Sequence, residues 1–98
     1  MISNDIIEAA AERLRTADAS KKTCAPIREL IGMEDLTAAY AVQKINTNHR
    51  IASGGRVIGH KIGLTAPVVQ KQLGVDQPDF GLLWYDKEIL NGGEISVS

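Results

Sequence analysis

At Gly54-Gly55 the hydrophobic period of this chain changes, and that switch limits the folds open to it. Before it, apolar residues recur at helical spacing. After it, Arg56-Val57-Ile58-Gly59-His60-Lys61-Ile62-Gly63-Leu64 alternates with period two and reads as a strand. Helices followed by strands in 98 residues predict an α+β fold, with one domain at most, or one domain and a piece of another.

Two main helices are expected upstream. Residues 3–17 carry Ile6, Ala9, Ala10, Leu14 and Ala17 at helical spacing, with Ser3 as N-cap and Ile2 and Ile7 placed for a hydrophobic staple. That stripe is either a partner-binding face or a face packed on its own domain, and the second is the simpler reading. Residues 18–25 read as a loop, and Pro26 opens a short turn of helix to Ile31, closed by Gly32. Residues 35–53 read as the longest helix, with Asp35 as N-cap and Gly54-Gly55 as the stop. Its two neighbouring stripes are Leu36, Ala39, Tyr40, Gln43 and Thr47, and Ala38, Ala41, Val42, Ile45 and Ala52.

The strand carries the chemistry. Period two puts Ile58, His60, Ile62 and Leu64 on one face and Val57, Gly59, Lys61 and Gly63 on the other. Lys61 is therefore flanked on its own face by two residues without side chains. Glycine inside a strand often marks the close approach of a ligand or another backbone, so Lys61 reads as an ammonium presented to an anionic small molecule. It reads equally as an edge-strand lysine that deters aggregation, with glycines at bulges. Thr65 then caps a helical turn that holds Pro67 and ends at Gly74, and Val75 to Gly81 form a turn around Pro78. Asp79 in that turn is a general base or an orienting carboxylate near Lys61, or else an aspartate bonded to its own backbone. Leu82 to Asp86 and Glu94 to Val97 read as strands, with Lys87 to Leu90 able to continue the first and Asn91-Gly92-Gly93 turning into the second.

Composition removes several function classes. Eleven basic and twelve acidic residues nearly cancel, without a basic stripe, which argues against nucleic-acid binding. A single cysteine, Cys24, gives no intrachain disulfide and fits a reducing compartment. Acids interrupt the N-terminal apolar positions and no run is long enough to span a bilayer, so a cytoplasmic protein without a membrane partner is expected. A phosphate loop fails because His60, not lysine, follows Gly59, and the segment enters a strand where such a loop opens a helix. His49 and His60 have no third ligand near them, so no zinc site is indicated.

Gly59-His60-Lys61-Ile62-Gly63-Leu64-Thr65 and Gln70-Lys71-Gln72-Leu73-Gly74-Val75-Asp76-Gln77-Pro78-Asp79-Phe80-Gly81 together resemble the fumarylacetoacetate hydrolase superfamily. The resemblance is to its 2-hydroxypenta-2,4-dienoate (2-keto-4-pentenoate) hydratases and 4-oxalocrotonate decarboxylases. Pro26 to Gly32 and Ala38 to Gln43 fit the same pattern. The resemblance implies a helical front domain, here residues 1–75, followed by the first strands of a truncated mixed β-roll, residues 76–98. It implies catalytic roles for Lys61 and Asp79 and substrate contacts at Gly59, Gly63 and Leu64.

The implied reaction adds water to 2-hydroxypenta-2,4-dienoate to give 4-hydroxy-2-oxopentanoate, in the meta-cleavage breakdown of aromatic compounds. Decarboxylation of 4-oxalocrotonate and a non-catalytic assembly fragment are the alternatives. The dienol must be protonated to an unsaturated ketone before water adds, which requires a placed acid and base. Mg2+ or Mn2+ chelating the 2-oxo acid is the implied cofactor. In the family the metal carboxylates lie downstream of the matched stretch, so no ligand is assigned within this chain, and the chain by itself is expected to be inactive. A homo-oligomer is implied as well.

Overall fold

The computed structural model describes residues 3–33 and 35–96, which form four α-helices, two β-strands and one 3-10 turn. The fold is α+β, with a two-stranded antiparallel sheet. The chain divides into two compact units, Met1–Ser53 and Gly54–Ser98. Among the described residues no helix is long and apolar enough to cross a membrane.

The first unit is helical. Helix α1 (Asn4–Ser20) is capped by Ser3, whose hydroxyl accepts from the Ile6 N–H. Ile2, the other half of the expected staple, lies outside the described residues. The helix runs three residues further than the apolar pattern indicates and ends on Lys21 in the left-handed conformation. The Lys22 N–H returns to the Ala17 carbonyl and the Lys21 N–H to that of Asp18. Helix α2 (Arg28–Ile31) is a single turn, tied to α1 by Arg13, whose guanidinium donates to the carbonyls of Ala25 and Pro26 at 3.3 and 3.1 Å. Helix α3 (Leu36–Ala52) starts at Asp35, whose carboxylate accepts from the Ala38 N–H at 2.9 Å.

Helices α1, α2 and α3 bury Ala10, Ala11, Ile31, Ala38 and Val42 together, with Ile7, Ile27, Leu30, Ala39 and Ile45 packed around them. This keeps Ala10 of the expected stripe of α1 in the core and corrects three of its other positions. Ile6, Ala9 and Leu14 are exposed, and the inward line runs through Ile7, Ala10 and Ala11 instead. Two adjacent alanines let α1 approach α3 closely, which a line of longer side chains would prevent. Arg15 donates to the Asn46 side chain at 2.9 Å and pins the same two helices. Of the two stripes on α3, Ala38, Val42 and Ile45 of the second and Ala39 of the first meet the core, while Leu36 and Gln43 of the first and Ala52 of the second are exposed.

The second unit is built on β1 (Val57–Gly63) paired antiparallel with β2 (Asp79–Trp84). Between them lies α4 (Pro67–Leu73), whose N-cap is Ala66 rather than Thr65. Pro67 occupies the first helical position, where its missing N–H costs nothing. Gly74 closes α4 in the left-handed conformation, its N–H reaching the carbonyls of Gln70 and Lys71. Strand β2 begins earlier than the sequence pattern indicates. The turn covers only Val75 to Pro78, and Asp79, Phe80 and Gly81 belong to the ladder, because each finds a partner in β1. After Trp84 the chain enters a 3-10 turn, Tyr85–Lys87, and Lys87 does not extend the strand. No strand forms over Glu94 to Ser96, and Val97 lies outside the described residues.

Contacts at each end hold the pair of strands. The Tyr85 N–H donates to the Arg56 carbonyl at 2.9 Å, and the Arg56 guanidinium lies 5.7 Å from the centre of the Tyr85 ring. At the other end Leu64 has a φ of 54°, a left-handed backbone that costs a residue with a side chain on the order of 1 kcal/mol. The Gln70 side-chain amide donates to the Leu64 carbonyl at 2.7 Å and holds that turn against α4.

Two outcomes follow for stability. Val42→Ala, at the most buried large side chain, should lower the unfolding free energy of the helical unit by about 1–3 kcal/mol in urea titrations, whereas Ile51→Ala, half exposed, should change it little. Gln70→Ala should cost about 0.5–1.5 kcal/mol, and the loss should appear as faster amide exchange at Ile62 to Thr65 while exchange in α1 and α3 is unchanged.

Candidate functional site

Lys61 stands near the middle of β1, directly across from Gly81, and Gly63 stands across from Asp79. Residues opposite one another in an antiparallel ladder share a face, and diagonal neighbours lie within reach of long side chains. Lys61 and Asp79 are such a diagonal pair. The Lys61 Nζ donates to Asp79 Oδ2 at 3.0 Å, with the two side chains 53% and 51% exposed. An ion pair this open to water contributes about 0–1 kcal/mol. It is too weak to hold the strands together, so the ladder positions the charges and not the reverse.

The glycines divide into different roles. A Cβ on Gly63 would stand 3.9 Å from both Lys61 Nζ and Asp79 Oδ2, so this position borders the ion pair directly. A Cβ on Gly59 would meet Leu83 Cδ1 at 3.4 Å, so the open ground at Gly59 is already covered by a leucine from β2. The ground beside Lys61 that matters is on the opposite strand, at Gly81, over which the lysine stem lies. In sequence Gly81 reads only as the exit of a turn. The signal that could have found it is its spacing, since Asp79, Gly81 and Leu83 share one face once that stretch is taken as a strand.

Leu64 follows the last residue of β1, half-buried, at the strained turn held by Gln70. The opposite face of the sheet carries the cross-strand pairs His60–Leu82 and Ile62–Phe80, and an irregularity between Val57 and Gly59 interrupts the expected alternation at the start of β1. Ile62 and Phe80 are 59% and 46% exposed there. The sheet therefore has a polar, glycine-lined face with one ammonium and one carboxylate in contact, and an apolar face behind it. The polar face can anchor an anionic group on Lys61 and pass a proton between neighbouring heteroatoms. Among the described residues no three His, Cys, Asp or Glu side chains converge as a metal site would require, and Lys61 and Asp79 are the groups that give this face its chemistry.

No protein-family model matches the chain. It is 54% identical over 84 residues to 2-keto-4-pentenoate hydratase of Paraburkholderia phymatum, a match covering 86% of this chain and 32% of that protein. It is 48% identical over 91 residues to the TodF product hydratase of Pseudomonas putida, covering 93% of this chain and 34% of that protein. Among solved structures it resembles 4-oxalocrotonate decarboxylase from Pseudomonas putida G7, determined with calcium and acetate and with magnesium and adipate. That likeness has a TM-score of 0.78 at 24% identity, covers 91% of this chain and 34% of the decarboxylase, and speaks for the fold alone. The chain thus spans about a third of the length of the curated relatives it matches. Identity near one half, carried across almost the whole of this chain, makes it a relative of one part of the 2-keto-4-pentenoate hydratases, and it shares its fold with 4-oxalocrotonate decarboxylase.

Proposed function

We propose that this chain is part of a hydratase that adds water to 2-hydroxypenta-2,4-dienoate to give 4-hydroxy-2-oxopentanoate. The observation that carries the reading is the Lys61–Asp79 contact on the glycine-lined face of the sheet, in a chain whose curated relatives bear hydratase names. Lys61 anchors the substrate carboxylate or donates the proton that turns the dienol into the unsaturated ketone. Asp79 orients Lys61 and takes up or returns a proton. Gly63 leaves room for the substrate beside the ion pair, and Gly59 and Leu64 bound it at the two ends of the strand.

A divalent ion belongs to the proposal for the whole enzyme, magnesium or manganese, with its ligands outside this chain. The magnesium and calcium complexes of the decarboxylase support the ion class. Residues 1–75 would then be the front domain and 76–98, with β2, the start of a mixed β-roll. In this reading the apolar face at Ile62, Phe80 and Leu82 is covered by that larger sheet, and the 98 residues alone do not turn over substrate. Cytoplasmic location and a homo-oligomeric assembly complete the proposal. Decarboxylation of 4-oxalocrotonate is supported by the likeness of fold, and product analysis separates the two, since only decarboxylation releases carbon dioxide.

The test is dienol consumption followed by ultraviolet absorbance with magnesium or manganese, for this chain beside one lengthened to the full span of its relatives. Turnover confined to the lengthened chain and abolished by Lys61→Ala supports the reading; no turnover in either removes it. In the same lengthened chain Asp79→Asn should change the unfolding free energy by less than about 1 kcal/mol, since the pair is exposed, yet lower kcat by about 10²-fold or more. Lys61→Arg should retain measurable turnover if Lys61 is an anchor and none if it transfers a proton.

A further inference from the structure

We propose that Gly81 is a positioning residue: the absence of a side chain there forms the seat in which the stem of Lys61 lies, and so fixes where the ammonium stands relative to Asp79. A Cβ built on Gly81 would lie 2.8 Å from Lys61 Cε, 3.2 Å from Cγ and 3.5 Å from Cδ. Three consecutive parts of one side chain therefore occupy the space of a single missing methyl group. Gly81 is the residue directly across from Lys61 in the ladder, which is why the stem crosses it on the way to Asp79, two residues earlier in the same strand. The backbone of Gly81 does not require glycine, since its φ lies outside the left-handed region. Space, and not conformation, is what the position supplies.

An alanine would push Lys61 Cε aside by roughly 0.6 Å to reach ordinary contact at 3.4 Å. The lysine can yield because its far end is flexible and exposed, so the strand pairing survives and the ammonium moves. Neither neighbouring glycine has this effect. A Cβ on Gly59 meets Leu83, and one on Gly63 makes ordinary contact at 3.9 Å.

The inference rests on the hydratase reading only for its consequence in catalysis; the seat itself is testable in this chain without turnover. In the unsubstituted 98-residue protein, nuclear Overhauser contacts should connect the Lys61 γ and ε protons to the Gly81 α protons, and their absence overturns the proposal whatever the variants do. Carbodiimide treatment should couple the Lys61 amine to the Asp79 carboxylate as an internal amide, located by mass spectrometry of the digest. Gly81→Ala should reduce that coupling about tenfold or more with an unchanged circular dichroism spectrum, because the rate of an internal reaction depends steeply on placement. Gly59→Ala should couple at the original yield. Undiminished coupling in a folded Gly81→Ala protein overturns the proposal, as does equal loss in Gly59→Ala. In the lengthened chain Gly81→Ala should lower kcat by up to about 10²-fold. Loss of coupling in Gly81→Ala where the lengthened parent has no hydratase activity upholds the seat and removes the hydratase reading. Retained coupling where the parent is active does the opposite.

Discussion

The register of two strands governs this molecule. Pairing Lys61 with Gly81 and Gly63 with Asp79 determines which residues share a face, and from that follow the ion pair, the seat for the lysine stem and the apolar surface behind them. Neither charge is held by burial, and their mutual attraction is weak in water. Their placement is inherited from backbone hydrogen bonds, from the Tyr85–Arg56 closure at one end and from the Gln70–Leu64 bond at the other. The site is organised by the chain around it, at small energetic expense within the site.

The two units differ in how they are stabilised. All the buried residues among those described lie in the helical unit, where small side chains on α1 and α3 allow close packing. The sheet unit keeps its large apolar residues partly in contact with water, and two strands alone are marginal in isolation. Its order depends on capping, turn geometry and the ladder more than on a core. That balance suits a surface meant to meet a ligand on one side and further protein on the other, as the proposed function requires.

Much of this is legible from residue order. Ser3, Asp35 and Gly74 announce the helix ends because capping is local chemistry, and the switch of period at Gly54-Gly55 separates helices from strands. The inward face of α1 lies one residue from where its periodicity points, since Ile6 and Ile7 are equally apolar and only the fit of Ala10 and Ala11 against α3 decides between them. Residues Asp79 to Gly81 read as a turn because Pro78 dominates the local pattern, whereas a long-range partner in β1 makes them strand. Lys61 stands out between its two glycines. Gly81 does not, because its role exists only across the ladder, and no periodicity within one segment encodes it.

The segment between the strands has a different relation to length than the strands themselves. Residues 64–78 close a loop whose entropic cost grows only with the logarithm of its size, so a residue gained or lost near Val75 to Pro78 leaves the register of the two strands unchanged. A single residue gained or lost inside Gly59–Gly63 or Asp79–Gly81 would turn each following side chain to the other face. Lys61 or Asp79 would then point to the face of the His60–Leu82 and Ile62–Phe80 pairs. Drift in loop length is tolerated by this architecture; drift in ladder length exchanges its chemistry for its hydrophobic backing.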